Sequence, residues 1–406
     1  MFGSPRAERN RNLVFEMSMN KNFEVEIEKL LWRGRGLARL ESGMVVMVDP
    51  GVLPGERVLV ETVKETKGYV KAVPVRVVTP SPLRRNHPCP LADRCGGCRF
   101  GIMPAAHGLA VKREVLLEAM QRGLRGHAPK DLARMITVVP SPKNWRYRFR
   151  AQVHVRGGKP HFRELAGSGL VPVHDCLLLA EPLAKNLDRL CFGAADGRLV
   201  VAAGPGDGIA RNEHDPGLII LPFPRYDLDI HLPAGGFFQA NWGLNQTLVD
   251  MVTEMVGPGA RVADLYSGAG NFALPLARRG ADVFAVEGFA PAARAGRDNA
   301  ARLGLRNAVF RAGDLAKDKS WNMIRDFAPR VAVLDPPRTG APRVGARLDR
   351  LRGLDRLVWV SCDVVNTCRD LGPLLAAGWS MESVHLLDMF PGTWHMEVAI
   401  VLNRPS

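Results

Sequence analysis

The sequence predicts a doubly wound α/β domain preceded by a small β-barrel and a central α+β region, and three observations carry that expectation. Apolar strands alternate with helical stretches from Gly236 to the end, short β-rich runs fill Asn22 to Thr79, and a proline-rich break with a cysteine cluster parts the two. With 406 residues, 46% hydrophobic and 24% charged, the chain has room for two or three domains and the balance of a folded globular protein. Disordered, collagen-like and coiled-coil classes are thereby excluded.

Residues 1–20 form an N-terminal tail that mixes Arg, Glu and Asn and lacks the apolar run of a secretion signal. No run of about 18 apolar residues occurs, so no membrane partner and a cytoplasmic location are expected. Seven cysteines, an odd number, fit free thiols better than a disulfide framework.

In FEVEIEKL, period-two spacing puts Phe23, Val25 and Ile27 on one face, and ERVLVETV and YVKAVPVRVV repeat the style. Asp49-Pro50-Gly51 and Pro54-Gly55 supply turns, so residues 21–79 read as five or so strands of an OB-type barrel. Residues 80–235 begin at TPSPLRRNHPCP and hold the cysteine cluster, one helical stretch and further strands. In residues 236–406 the amphipathic WGLNQTLVDMVTEMV leads into the strands RVADLY, ADVFAVE, AVFRAG, RVAVLD, RLVWVSC, SVHLLD and HMEVAIVL.

Charge is unevenly placed. Of a formal +14, a net +12 falls between Ser81 and Pro160, where 16 Lys and Arg face 4 Asp and Glu, the footprint of a nucleic-acid partner. Within it WRYRFR, Trp145 to Arg150, alternates rings and guanidinium groups; a strand there would part them onto two faces, with the rings packed as core.

Five motifs carry chemistry. DLYSGAGNFALPLA runs from strand to helix through Gly268 and Gly270, and Glu287 ends the next strand 19 residues after Gly268, an offset suited to a nucleoside cofactor's ribose. In DPPR, two prolines stiffen the loop that carries Asp335 and Arg338 at a strand end. Cys362 ends the next apolar strand, where a thiolate can attack an electrophilic ring carbon; Cys368, six residues on, is assigned to packing. Glu397 sits in an apolar strand, where a carboxylate is costly unless it faces a polar site, making it a candidate proton acceptor with a raised pKa. Cys89, Cys95 and Cys98 in C-x5-C-x2-C spacing, with Cys176 the nearest later thiol, suit one soft metal centre, zinc or iron–sulfur.

Together these residues resemble the RNA uracil-C5 methyltransferases, specifically the iron–sulfur-containing branch that modifies 23S ribosomal RNA, over nearly the whole chain from about residue 21. The resemblance implies an OB-like TRAM domain over 21–79, a central iron–sulfur domain that binds RNA over 80–235, and a Rossmann-like methyltransferase domain over 236–406. It implies a [4Fe–4S] cluster on Cys89, Cys95, Cys98 and Cys176, with S-adenosylmethionine as methyl donor. FFQAN resembles the family's F-x-Q-x-N and implies Gln239 at donor or uracil. DLYSGAGNF implies Tyr266, Gly268 and Asn271 at the donor, with Glu287 on its ribose and Asp314 of AGD at its adenosine. DPPR implies Asp335 beside donor and substrate and Arg338 at the substrate; VSC implies Cys362 as nucleophile; and T-x-H-x-E, here Thr393, His395 and Glu397, implies Glu397 as base.

The implied reaction adds the Cys362 thiolate to uracil C6, transfers the methyl group to C5 and removes the C5 proton through Glu397. The base must first leave its stack. Where the family has Asn after the nucleophile, this chain has Asp363, whose charge is expected to disfavour a nearby thiolate. The expected substrate is 23S ribosomal RNA and the expected state a monomer. The T-loop uridine of transfer RNA, and a non-catalytic RNA-binding or ribosome assembly factor, are the alternatives.

Overall fold

The computed structural model describes residues 22–165, 167–206, 208–211, 217–233 and 235–405, so the tail expected over 1–20 lies outside the described residues. Two compact units divide between Pro82 and Leu83.

In the first unit, Val-rich runs bury alternate side chains on one sheet. Its strands are β1 (Asn22–Glu26), β2 (Lys29–Leu30), β3 (Gly36–Arg39), β4 (Val45–Val48), β5 (Arg57–Glu65) and β6 (Tyr69–Thr79), in the spatial order β1-β5-β6-β4-β3-β2. Val25, Ile27, Val46, Val48, Val58, Val60 and Val70 make the core. β1 and β2, the two ends of this order, are two residues apart in the chain: between them Ile27 N–H donates to the Glu56 carbonyl at 2.9 Å and Glu28 N–H to the Leu37 carbonyl of β3 at 2.8 Å. β2 is two residues long and runs into a turn where Arg33 takes φ 68°, which stops its ladder. The buried Glu56 carboxylate accepts from the backbone N–H of Leu53 at 2.8 Å and of Ser81 at 3.3 Å, fixing the end of the unit.

The second unit opens with α1 (Ala105–Gly123), α2 (Leu132–Met135) and β7 (Ile136–Val139). A five-stranded antiparallel sheet follows, from β8 (Arg150–Arg156), β9 (Lys159–Arg163), β10 (Leu170–Pro172), β11 (Gly197–Ala203) and β12 (Ile209–Arg211), ordered β10-β9-β8-β11-β12. The short helices α3 (Glu181–Lys185) and α4 (Leu187–Cys191) cover it, burying Val153, Leu183, Leu187 and Val201 together. A hairpin of β13 (Leu218–Phe223) and β14 (Leu228–Pro233) then packs into the core that holds α5 (Trp242–Val256).

The remaining elements alternate: β15 (Arg261–Leu265), α6 (Ala273–Arg278), β16 (Asp282–Glu287), α7 (Ala290–Arg302), β17 (Ala308–Ala312), α8 (Asp318–Phe327), β18 (Val331–Leu334), α9 (Val344–Asp349), β19 (Arg356–Ser361), α10 (Val364–Ala376), β20 (Ser380–Leu387) and β21 (Glu397–Asn403). All seven expected strands form, in an eight-stranded sheet ordered β17-β16-β15-β18-β19-β21-β20-β7. β15 to β19 are mutually parallel, and β18 and β21 are buried nearly along their whole lengths, as strands covered on both faces must be. β21 runs antiparallel between β19 and β20. The eighth strand, β7, comes from the stretch assigned to the central region and pairs in parallel with β20.

One element is corrected. WRYRFR is not a continuous strand: Arg146 takes φ 56°, and Arg148 makes only isolated bridges to Leu179 and Asn241. The Arg146 guanidinium is drawn instead to Asp175, at 2.5 and 2.6 Å. Tyr147 is buried and Phe149 packs on the core, as expected of the rings. Cys368 is buried in α10. Among the described residues no helix is long and apolar enough to cross a membrane.

Gly296 in α7 sits where a Cβ would lie 2.4 Å from the buried Phe310 ring. Gly296→Ala is expected to cost about 1–3 kcal/mol through overpacking, read as a lower urea midpoint with an unchanged slope.

Candidate active site

Sheet register builds the site. Leu265 pairs with Val286 and Leu334, Leu334 with Trp359, and Ser361 with Val398. Tyr266, Asp335 and Cys362 each follow their parallel strand, Glu287 ends its own, and Glu397 opens the antiparallel one, so all five stand along one rim of the sheet, where open α/β folds bind ligands.

The glycine turn is held by its own acid. Glu287 accepts from the Gly268 N–H at 2.9 Å and the Phe289 N–H at 2.6 Å, and Gly268 adopts φ 55°, a conformation that suits glycine. Tyr266 takes φ 63° beside it, and burial pushes its hydroxyl up to about 12. Asn271 exchanges both amide hydrogen bonds with the fully buried Asn245 of α5, at 2.8 and 3.2 Å, which pins the loop to that helix. Asp314 is exposed at the end of β17, its carboxylate accepting from the Ala316 N–H at 2.8 Å.

Sequence reasoning missed two groups beneath this turn. Asp264 is fully buried with the Ala273 N–H directed at its carboxylate, and Ser267 is 4% exposed, its hydroxyl without a hydrogen-bond partner. Burial raises the Asp264 carboxyl well above the ordinary range. A buried acid in a strand reads as core by pattern, so only its type signalled it.

At the other end of the rim, Gln239, 6% exposed, donates to Asp335 Oδ2 at 3.4 Å. Burial lifts Asp335 to about 7, opposed by that bond. Burial first, and then Asp335, hold Glu397 well above the carboxylate range, while Arg338 pulls it down. Cys362 is pushed up to about 12 by burial and then by Glu397; the Arg338 guanidinium, hydrogen-bonded to the sulfur, opposes this. Thiol, base candidate and arginine therefore share one electrostatic neighbourhood.

The expected effect of Asp363 is corrected. Its carboxylate caps α10, accepting from the Asn366 N–H at 3.0 Å, and the thiol it raises is Cys368. Asn366 in turn donates to the Arg338 carbonyl at 2.8 Å, tying the helix to the DPPR loop. His395 lies outside β21, its ring tilted over Trp394 at 3.7 Å.

The four clustered thiols sense one another. Cys98 is pushed up to about 12 by burial and then by Cys176, Cys89 and Cys95. Backbone N–H groups of Gly97 and of Leu178 and Leu179 are directed at the Cys95 and Cys176 sulfurs. Among the described residues, however, no three His, Cys, Asp or Glu side chains are placed to hold a metal ion. The metal set expected on Cys89, Cys95, Cys98 and Cys176 is therefore not assembled among the described residues, and Cys98 Sγ lies 3.4 Å from His87 Nε2.

A doubly wound sheet whose strand ends carry a glycine turn, an acid closing the next strand and a cysteine is the fold of an S-adenosylmethionine-dependent methyltransferase. A family model described as tRNA (Uracil-5-)-methyltransferase matches residues 225–405. The 23S rRNA (uracil(1939)-C(5))-methyltransferase RlmD of Pseudomonas fluorescens is 31% identical, over 94% of this chain and 92% of its own length. The enzyme of the same name from Alkalilimnicola ehrlichii is 31% identical over 95% and 97%. The crystal structure of Pyrococcus abyssi tRNA (uracil-54, C5)-methyltransferase with S-adenosyl-L-homocysteine aligns with a TM-score of 0.70 and 22% identity, covering 93% of this chain and 99% of that one. The chain belongs to the RNA uracil-C5 methyltransferase family.

Because burial raises Asp335 and Glu397, the folded chain keeps protons that the unfolded chain loses between roughly pH 4 and the folded values. Stability therefore falls as pH rises through that window, which for Asp335 ends near 7. Melting temperature is expected to be lower at about pH 8 than at about pH 5, and Asp335→Asn should flatten the fall. An unaltered slope in that variant would assign the effect elsewhere.

Proposed function

We propose that this protein methylates carbon 5 of a uridine in 23S ribosomal RNA through a transient bond between Cys362 and uracil C6. The observation that carries the reading is the rim itself, where Cys362, Arg338, Asp335 and Glu397 perturb one another. The RNA is inferred from relatives of that name matching 94% and 95% of the chain.

In this reading S-adenosylmethionine, when bound, supplies an electrophilic methyl on a sulfonium. The chain fits such a donor: the buried Ser267 hydroxyl at the glycine turn has no partner, and a polar group of the donor would complete it. Tyr266, Gly268, Glu287 and Asp314 line the donor side, with Asn271 holding the loop's shape and Gln239 and Asp335 standing between donor and uracil. Arg338 stabilises the Cys362 thiolate against its buried surroundings. Sulfur adds at C6, and the electron pair moves onto the C4 carbonyl as an enolate. Carbon 5 then takes the methyl as the methyl–sulfonium bond breaks, the electron pair of that bond staying on the donor's sulfur. Glu397, a stronger base for being buried, removes the C5 proton, and the C6–S bond breaks to return the thiolate.

Residues 22–79 serve as a TRAM-type RNA-binding domain, and the basic stretch after them carries a [4Fe–4S] cluster on Cys89, Cys95, Cys98 and Cys176 within residues 80–235. Support comes from four soft donors that feel one another, with backbone N–H groups aimed at two of the sulfurs. The cluster would order this segment; no step of the methylation is assigned to it. The transfer-RNA alternative draws on the family model and on the Pyrococcus abyssi structure, which are both named for tRNA.

With donor and RNA carrying 5-fluorouridine, no proton can leave C5, and a stable protein–RNA adduct is expected. Cys362→Ala should abolish it and reduce methylation to background. Retained methylation by that variant would sink the nucleophile, and mapping 5-methyluridine to transfer RNA alone would replace the substrate. Anaerobically purified protein should contain iron and acid-labile sulfide in equal amounts, lost on Cys98→Ser; stoichiometric zinc would overturn the cluster.

A further inference from the structure

The loop 388–396 joins β20 to β21 and delivers Glu397, and its first carbonyls are gripped in sequence. Met389 O accepts from Asn241 Nδ2 at 3.2 Å, Phe390 O from Lys112 Nζ at 3.0 Å, Pro391 O from the Tyr147 hydroxyl at 3.0 Å, and Gly392 O from the Phe100 N–H at 2.8 Å. The four donors come from α1, the head of α5 and two separate loops. A buried loop must have its carbonyls bonded; here four consecutive ones are satisfied by four segments distant in sequence, so the loop's position is tied to all of them.

Lys112 is the unusual member. It lies on the buried face of α1 with Leu109, Val115, Leu116 and Met120, 2% exposed. There its ammonium meets Asp388 Oδ1 at 2.5 Å. A buried ion pair is rarely worth more to stability than apolar residues of the same volume. What a hydrocarbon cannot supply at this position is the bond to Phe390 O. That carbonyl also accepts from the Thr393 N–H at 3.2 Å and its hydroxyl at 2.8 Å, and the Thr393 hydroxyl accepts from the His395 N–H at 3.2 Å. A continuous run of hydrogen bonds therefore leads from α1 to within two residues of Glu397.

We propose that Lys112 and Tyr147 are positioning residues for the base, clamping the loop so that Glu397 reaches the C5 proton. This rests on the Cys362–Glu397 mechanism proposed above. The clamp matters for one step alone: thiol addition and methyl transfer precede proton removal, so a displaced base leaves a methylated adduct that forms and then waits. Loss of fold or of donor binding would instead suppress the adduct.

The test uses the full chain, ordinary uridine RNA and donor labelled in its methyl group, and reads the labelled protein–RNA adduct on a denaturing gel beside kcat and KM. Glu397→Gln is the reference and should accumulate adduct; if it does not, the mechanism fails, whatever the clamp does. Tyr147→Phe removes one hydroxyl, and the paired change Lys112→Met with Asp388→Leu removes the tie to Phe390 without leaving a buried charge. Each is expected to lower kcat about ten- to a hundredfold and to accumulate adduct, with KM for RNA and donor affinity near parental values. Should the paired variant fail to fold, Tyr147→Phe decides. Parental kcat, or reduced kcat without adduct while Glu397→Gln accumulates it, overturns the clamp.

Discussion

The antiparallel pairing of β21 against β19 is the constraint on which the site depends. In an all-parallel sheet every strand would present its carboxyl end at the functional rim, and a residue that opens a strand would lie at the opposite edge. Inserting one reversed strand places Glu397, the first residue of β21, beside the end of β19. The Ser361–Val398 register then sets the thiol and the acid on facing neighbours. A slip of one residue would turn Glu397 to the other face of the sheet.

Burial governs the charge the rim carries. Three acids, Asp264, Asp335 and Glu397, are raised by burial, and the thiol is raised with them. Such a cluster is costly as a set of anions and tolerable as neutral groups that give up protons when positive charge arrives. Arg338 brings one such charge from a stiff loop, and a sulfonium donor would bring another. The raised acids therefore fit a site that becomes ionised as it fills.

Much of this was legible from residue type at strand ends. The glycine turn, Glu287, Asp335, Cys362 and Glu397 each break an apolar strand or follow one, and that pattern marks the rim. The seven α/β strands were equally plain because their apolar runs are continuous. β7 was not, since ITVV lies far back in the chain and only long-range pairing with β20 gives it a place. WRYRFR misled because its alternation was real while its backbone conformation was set by Arg146 and Asp175. Asn245 and Asp264 carried no periodic signal; their roles follow from what burial leaves them to bond.

Asp363 shows why a departure from a family pattern has to be weighed by the physical role of the position. Both Asn and Asp serve well at a helix N-cap because each offers a side-chain oxygen to the first turn. Asp363 does this through Asn366 N, while its own carbonyl accepts from the Thr367 hydroxyl at 2.8 Å. Its negative charge lies at the positive end of α10, where the helix stabilises it. The carboxylates that raise Cys362 are those of Glu397 and Asp335, whose burial belongs to the site itself. The substitution thus keeps the cap that aims the Cys362 turn, and its added charge is absorbed by the helix it begins.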